Sequence, residues 1–213
     1  MRKIFLQFVV SLALAGAGVV AQDAITINGG GETVLRKAPP TEIQRTYHAP
    51  KLKTIYSNLG KGKYVYQSDS GWTISGSDSQ QGEWIQACGF TPKANATITE
   101  IKVGFTWMSG PNQGTIAVYG DRGGVPGKAL YTFKPVKNLP TFGTTTSILQ
   151  TVKYAAGINV QKNKQYWVVL TAPSKTWDVW NWQGYAMGPE AYNNGDGWSV
   201  RQYLLGAFGV FGK

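Results

Sequence analysis

The side chains best suited to meeting a ligand are concentrated between Trp177 and Trp198. The run reads Trp177-Asp178-Val179-Trp180-Asn181-Trp182-Gln183-Gly184-Tyr185, and Tyr192 and Trp198 follow it. A sugar ring offers an apolar C–H face that can stack on an aromatic ring, while its hydroxyls need amide or carboxylate partners. Interleaved aromatic, amide and acidic residues are the pattern such recognition requires. On a strand, Trp180 and Trp182 project to one face and Asn181 and Gln183 to the other. The competing reading places the indoles in a hydrophobic core. Trp180 is expected there, whereas Trp177 and Trp198, beside turn residues, are expected at the surface. The candidate binding set is therefore Trp177, Asp178, Trp182, Tyr185, Tyr192 and Trp198. At least two of its aromatic members should share an exposed or groove-lining surface.

Asp178 and Glu190 also form the carboxylate pair most worth testing for glycoside hydrolysis, which needs one acid on each side of a scissile bond. Nothing in the surrounding residues marks a general acid, and no catalytic residue is assigned. The one histidine, His48, precedes the aromatic region by far, so a Ser-His-Asp triad or a histidine-based metal site within residues 54–213 is excluded by count. Asn193, Asn194 and Asp196 form one loop rich in oxygen ligands, and Asp121 with its following glycines forms another. Neither has the number or spacing of a calcium loop, and both read as hydrogen-bonded turns. No metal or cofactor is expected. The single cysteine, Cys88, rules out an internal disulfide and reads as a small buried residue.

These residues sit in a chain patterned as short strands. In Ile101-Lys102-Val103-Gly104-Phe105-Thr106-Trp107 the odd positions are large and apolar and the even ones polar or glycine, as period-two burial requires. Turn formers follow at Ser109-Gly110-Pro111-Asn112 and at Gly120 to Gly127. Further strands are predicted at 64–67, 72–75, 84–90, 115–119, 129–133, 148–154, 166–171, 179–182 and 207–211. No helical period persists over a useful window. Many short strands between turns predict an all-β, single-domain antiparallel β-sandwich, jelly-roll-like in type. Eight tryptophans, all after residue 70, supply large aromatic area to its core.

The N-terminus gives a destination. Arg2 and Lys3 precede an apolar run ending in small residues, with Val19 and Ala21 placed for cleavage after Ala21. Residues 1–21 thus read as a signal peptide, and no later stretch is apolar enough to span a bilayer. Residues 22–53, with Asn28-Gly29-Gly30-Gly31 and Pro39-Pro40, read as a flexible leader with little to bury. Residues 54–213 form the β-sandwich domain. The formal charge of +10 is spread among turn lysines rather than clustered, which argues against a nucleic-acid partner and leaves a general attraction for polyanions. A polysaccharide or cell-surface glycan is the partner the aromatic stretch predicts.

Several local motifs occur together in order: Thr54-Ile55-Tyr56-Ser57-Asn58-Leu59-Gly60, Gly71-Trp72-Thr73-Ile74-Ser75-Gly76, Phe90-Thr91-Pro92 and Gly124-Val125-Pro126-Gly127. Gln165-Tyr166-Trp167, Trp180-Asn181 and the run Leu205 to Gly212 complete the set. In this arrangement the chain resembles exported bacterial proteins carrying a "choice-of-anchor R" domain, over roughly residues 54–213. The resemblance implies an extracellular β-sandwich held at the cell surface, with no activity common to the family. The sequence departs from the pattern in having no sorting signal or hydrophobic tail before Lys213. Secretion or periplasmic residence is therefore expected. A non-catalytic surface module that binds glycans is the leading expectation, with a carboxylate-pair hydrolase and a purely structural surface protein as alternatives.

Overall fold

Among the described residues every regular element is a strand. The computed structural model describes the backbone of residues 25–27 and 33–35 and all of residues 52–213. The expected signal peptide and His48 lie outside the described residues, as does most of the expected leader. Within that leader, β1 (Ile25–Ile27) pairs antiparallel with β2 (Thr33–Leu35).

The unit Pro50–Lys213 holds the remaining strands. In chain order they are β3 (Lys53–Ser57), β4 (Gly71–Ser75), β5 (Ile85–Phe90), β6 (Ala96–Val103), β7 (Phe105–Ser109), β8 (Gln113–Arg122) and β9 (Val125–Thr132). Then follow β10 (Val136–Lys137), β11 (Gln150–Val160), β12 (Tyr166–Thr171), β13 (Trp177–Asn193), β14 (Trp198–Gly206) and β15 (Phe208–Gly212). A nine-stranded sheet runs β10-β8-β12-β5-β13-β14, with β9 beside β8 and with β4 and β7 flanking the first half of β13. A four-stranded sheet runs β11-β6-β15-β3. All their strand pairs are antiparallel, and the sheets do not close into a barrel.

Alternation decides what lies between the sheets. Ile98, Ile101 and Val103 of β6 and Phe208 and Val210 of β15 pack with Cys88 and Phe90 of β5 and with Tyr166, Val168 and Leu170 of β12. Trp180, fully buried, joins this core as expected. The intervening residues Ala87, Trp167, Val169 and Ala191 make a separate cluster with Ala117. Their opposite parity puts that cluster on the other face of the large sheet. No helix among the described residues is long and apolar enough to cross a membrane.

The predicted strand 179–182 is only the start of β13, which runs for 17 residues through a stretch expected to be loops, and two other predicted strands change in kind. The run 101–107 is two strands in two sheets, because the chain turns a corner at Gly104. Its N–H donates to the Ala207 carbonyl at 2.9 Å, and its carbonyl accepts from the Asn181 N–H at 2.8 Å. A Cβ at Gly104 would stand 2.8 Å from the Tyr66 ring, so only glycine fits the corner. Burial continues through it: Ile101, Val103 and Phe105 are all inaccessible. Residues 64–67 are not a strand. Val65 and Tyr66 donate to the Thr146 carbonyl at 2.8 and 3.2 Å, while Gln67 donates to that of Trp182 at 2.8 Å. A segment whose backbone bonds go to unrelated partners cannot run along one neighbour.

Candidate functional site

The long strand β13 changes partners midway, and this places the aromatic stretch. From Trp177 it pairs with β4 on one side as far as Asn181 and with β7 on the other as far as Trp180. From Met187 to Asn193 it pairs with β14 on one side, and from Glu190 to Asn193 with β5 on the other. The register breaks between Trp182 and Met187, where Gly184 takes a φ of 40°. Trp182 therefore stands at an elbow, with Tyr192 ten residues further along the same strand.

The core-facing side of β5 runs Phe90, Cys88, Gln86. Glu190 lies opposite Cys88, and Tyr192 opposite Gln86. Phe90 and Cys88 belong to the core, but at Gln86 and Tyr192 the same face opens into a cleft of about 520 Å³. Trp72, Trp84, Trp182 and Arg201 complete its wall, with Gln81 at the rim.

Each aromatic side chain is held by its own contact. Trp72 donates its Nε1–H to the Leu204 carbonyl at 2.8 Å and meets Trp182 edge to face, with centroids 5.2 Å apart. Trp84 follows a tight turn, exchanges two backbone hydrogen bonds with Ser75 at 2.9 Å, and donates its Nε1–H to the Gln81 carbonyl at 3.0 Å. Its ring lies 5.5 Å from that of Tyr192. Arg201 reaches the cleft from β14. The hairpin turn makes this happen: the Asn193 side-chain oxygen accepts from the N–H groups of Gly195 and Gly197 at 2.9 and 3.2 Å. The register that sets Asn193 opposite Trp198 also sets Glu190 opposite Arg201.

Glu190 is wholly buried and accepts from Arg201 Nε at 2.6 Å, while its Oε1 has no partner. Burial pushes its carboxyl above the usual range, and the guanidinium pulls it only part of the way back. The Gln86 Oε1 is likewise buried without a partner, although Gln86 lines the cleft. Gln86 thus brings to the edge of the cleft an amide oxygen whose hydrogen-bonding capacity no protein group uses.

Of the residues singled out in the sequence, Trp182 and Tyr192 are brought together in this cleft. Tyr185 projects into solvent at 95% exposure and lines no part of it. Trp198 is half-buried against the second cluster with Ala191, on the opposite face of the sheet. Trp177 is also half-buried, between Ser75 and Ser109, so neither of the indoles expected at the surface is fully exposed. Asp178 is inaccessible, with both oxygens unbonded, and burial pushes its carboxyl up to about 8. Asn181 is occupied by architecture: it accepts from the Thr106 hydroxyl at 2.7 Å and donates to the Gln67 and Ser68 carbonyls at 2.9 and 3.2 Å.

Trp72, Trp84, Gln86 and Arg201 were missing from the sequence-derived set. The first three lie roughly a hundred residues earlier in the chain, and only sheet pairing brings them in. Asp121 behaves as a turn cap, accepting from the Gly124 N–H at 2.9 Å and from Trp167 Nε1 at 2.9 Å. Among the described residues no group of three His, Cys, Asp or Glu side chains could hold a metal ion. Cys88 is buried, its thiol pushed well up by desolvation and its sulfur accepting from the Gly206 N–H at 3.3 Å. No family model matches the chain, and no curated protein matches it.

Proposed function

We propose that this protein is an exported, non-catalytic β-sandwich module of the cell envelope or extracellular matrix that binds glycans. The cleft carries this reading. Four aromatic side chains, Trp72, Trp84, Trp182 and Tyr192, surround an opening large enough for a sugar unit, beside the unpaired Gln86 Oε1 and the Arg201 guanidinium. Stacking surface beside a few fixed polar groups is what saccharide recognition needs. The resemblance to choice-of-anchor R domains and the signal-like N-terminus support the location.

The non-catalytic part rests on the carboxylates. A hydrolase needs two acids flanking one bond. Asp178 lies among core groups near Phe105 and Gly114, and Glu190 lies beneath Arg201; neither lines the cleft. The test is a saccharide-array screen of the purified protein followed by tryptophan-fluorescence titration of each hit. Binding that quenches or shifts the emission, without release of reducing ends, is the expected result. Release of reducing ends abolished by Glu190→Gln would favour the hydrolase instead.

A further inference from the structure

The cleft carries information about the charge of its ligand. Among its lining residues only Arg201 is charged. Its Nε–H is committed to Glu190 at 2.6 Å, whereas its two terminal nitrogens have no protein acceptor among the described residues. The ring centroids of Trp72, Tyr203 and Tyr192 lie 4.8, 4.9 and 5.3 Å from the guanidinium carbon. An ion pair at one edge and aromatic rings around it fix the orientation of the plane. The pair is also lopsided: the Glu190 side chain has no exposure, while that of Arg201 is 44% exposed. The negative end is sequestered and the positive end faces the cleft.

A fixed guanidinium with a free terminal fork matches a planar carboxylate, which can take two parallel N–H donors. Gln86 Oε1, buried and unpartnered, adds an acceptor for a neighbouring hydroxyl. We infer that the cleft selects saccharides bearing a carboxylate, that is, uronic acid units, whose ring stacks on the cleft aromatics while the carboxylate engages the terminal N–H groups of Arg201. This inference rests on the glycan-binding reading above.

The experiment compares oligogalacturonate and oligomannuronate with their methyl esters, which keep the ring and remove the charge, and with dextran sulfate. Titrations are run at about 0.3 M salt, where attraction to scattered surface lysines is largely screened. A wild-type preference of about tenfold or more for at least one acid over its ester is expected, as for a charge-assisted bidentate contact. Arg201→Gln alone strands Glu190, so the double variant Arg201→Gln/Glu190→Gln is measured beside it, with melting temperature as the check on folding. In the folded double variant the preference should vanish while ester binding persists, and Arg201→Lys should recover only part of it. Equal wild-type affinity for acid and ester overturns the inference and leaves glycan binding standing. So does a preference that survives in the double variant, or dextran sulfate binding as tightly as the uronate in both proteins. If no saccharide in the panel or on the array binds, both readings fall together.

Discussion

Replacing Asp178 by Asn tests the description of the interior, because it removes a charge and little else. The carboxyl is inaccessible, neither oxygen has a partner, and a Cβ placed on Gly114 would stand 3.2 Å from its Oδ2. Desolvation alone raises it from 3.8 to about 8. A folded pKa above the unfolded one means that the acid form is favoured by folding. The stability from this group is fully present below the unfolded value and is lost as pH rises to the folded one. At about 1.36 kcal/mol per pKa unit, the loss between about pH 5 and pH 8 is roughly 4 kcal/mol. For a domain of this size that is a melting-temperature difference of about 10 °C. Thermal unfolding followed by circular dichroism should show a midpoint difference between Asp178→Asn and wild type that grows as pH rises above about 4. Between about pH 5 and pH 8 the variant should gain about 10 °C on wild type. Other titrating groups, Glu190 included, are common to both proteins and cancel in the comparison. Midpoints that stay parallel across this range would refute the claim that Asp178 is buried in its acid form.

Three further substitutions separate core from surface. Trp180→Ala should cost roughly 3–5 kcal/mol, read from denaturant unfolding, because the indole is fully buried between the sheets. Gly206→Ala should lose about 1–3 kcal/mol in the same assay, since an added methyl collides with that indole. Tyr185→Ser should change stability by no more than about 0.5 kcal/mol and leave saccharide binding intact, because its ring touches neither core nor cleft.

The sandwich was legible because period-two alternation is local. Strand 166–171 was legible in another way, as a short continuous apolar run from Tyr166 to Leu170, which the structure buries on both faces of its sheet. The corner at Gly104 was not legible, since alternation is the same whether a strand stays in one sheet or passes to the next. Residues 64–67 misled because Tyr64-Val65-Tyr66 has strand composition, while its hydrogen bonds are set by distant Thr146 and Trp182. Two members of the cleft, Trp182 and Tyr192, came from aromatic density. Trp72 and Trp84 required knowing which strands flank β13, a long-range fact that no local period encodes. Arg201 could have been found, because a hairpin centred on the Asn193–Gly197 turn places it opposite Glu190. Asp178 looked like a ligand-binding carboxylate, yet its parity with Trp180 on β13 carries it inward.

The most direct test of the cleft is tryptophan-fluorescence titration with the tightest saccharide found on an array, using wild type, Trp84→Ala and Trp182→Ala. Saturable quenching or a shift of the emission is expected in wild type. Each variant should bind more weakly by roughly 1–3 kcal/mol, a stacking magnitude taken from base–aromatic contacts, while keeping its far-ultraviolet spectrum. Unchanged affinity in both folded variants, or no saccharide response in wild type, would contradict it.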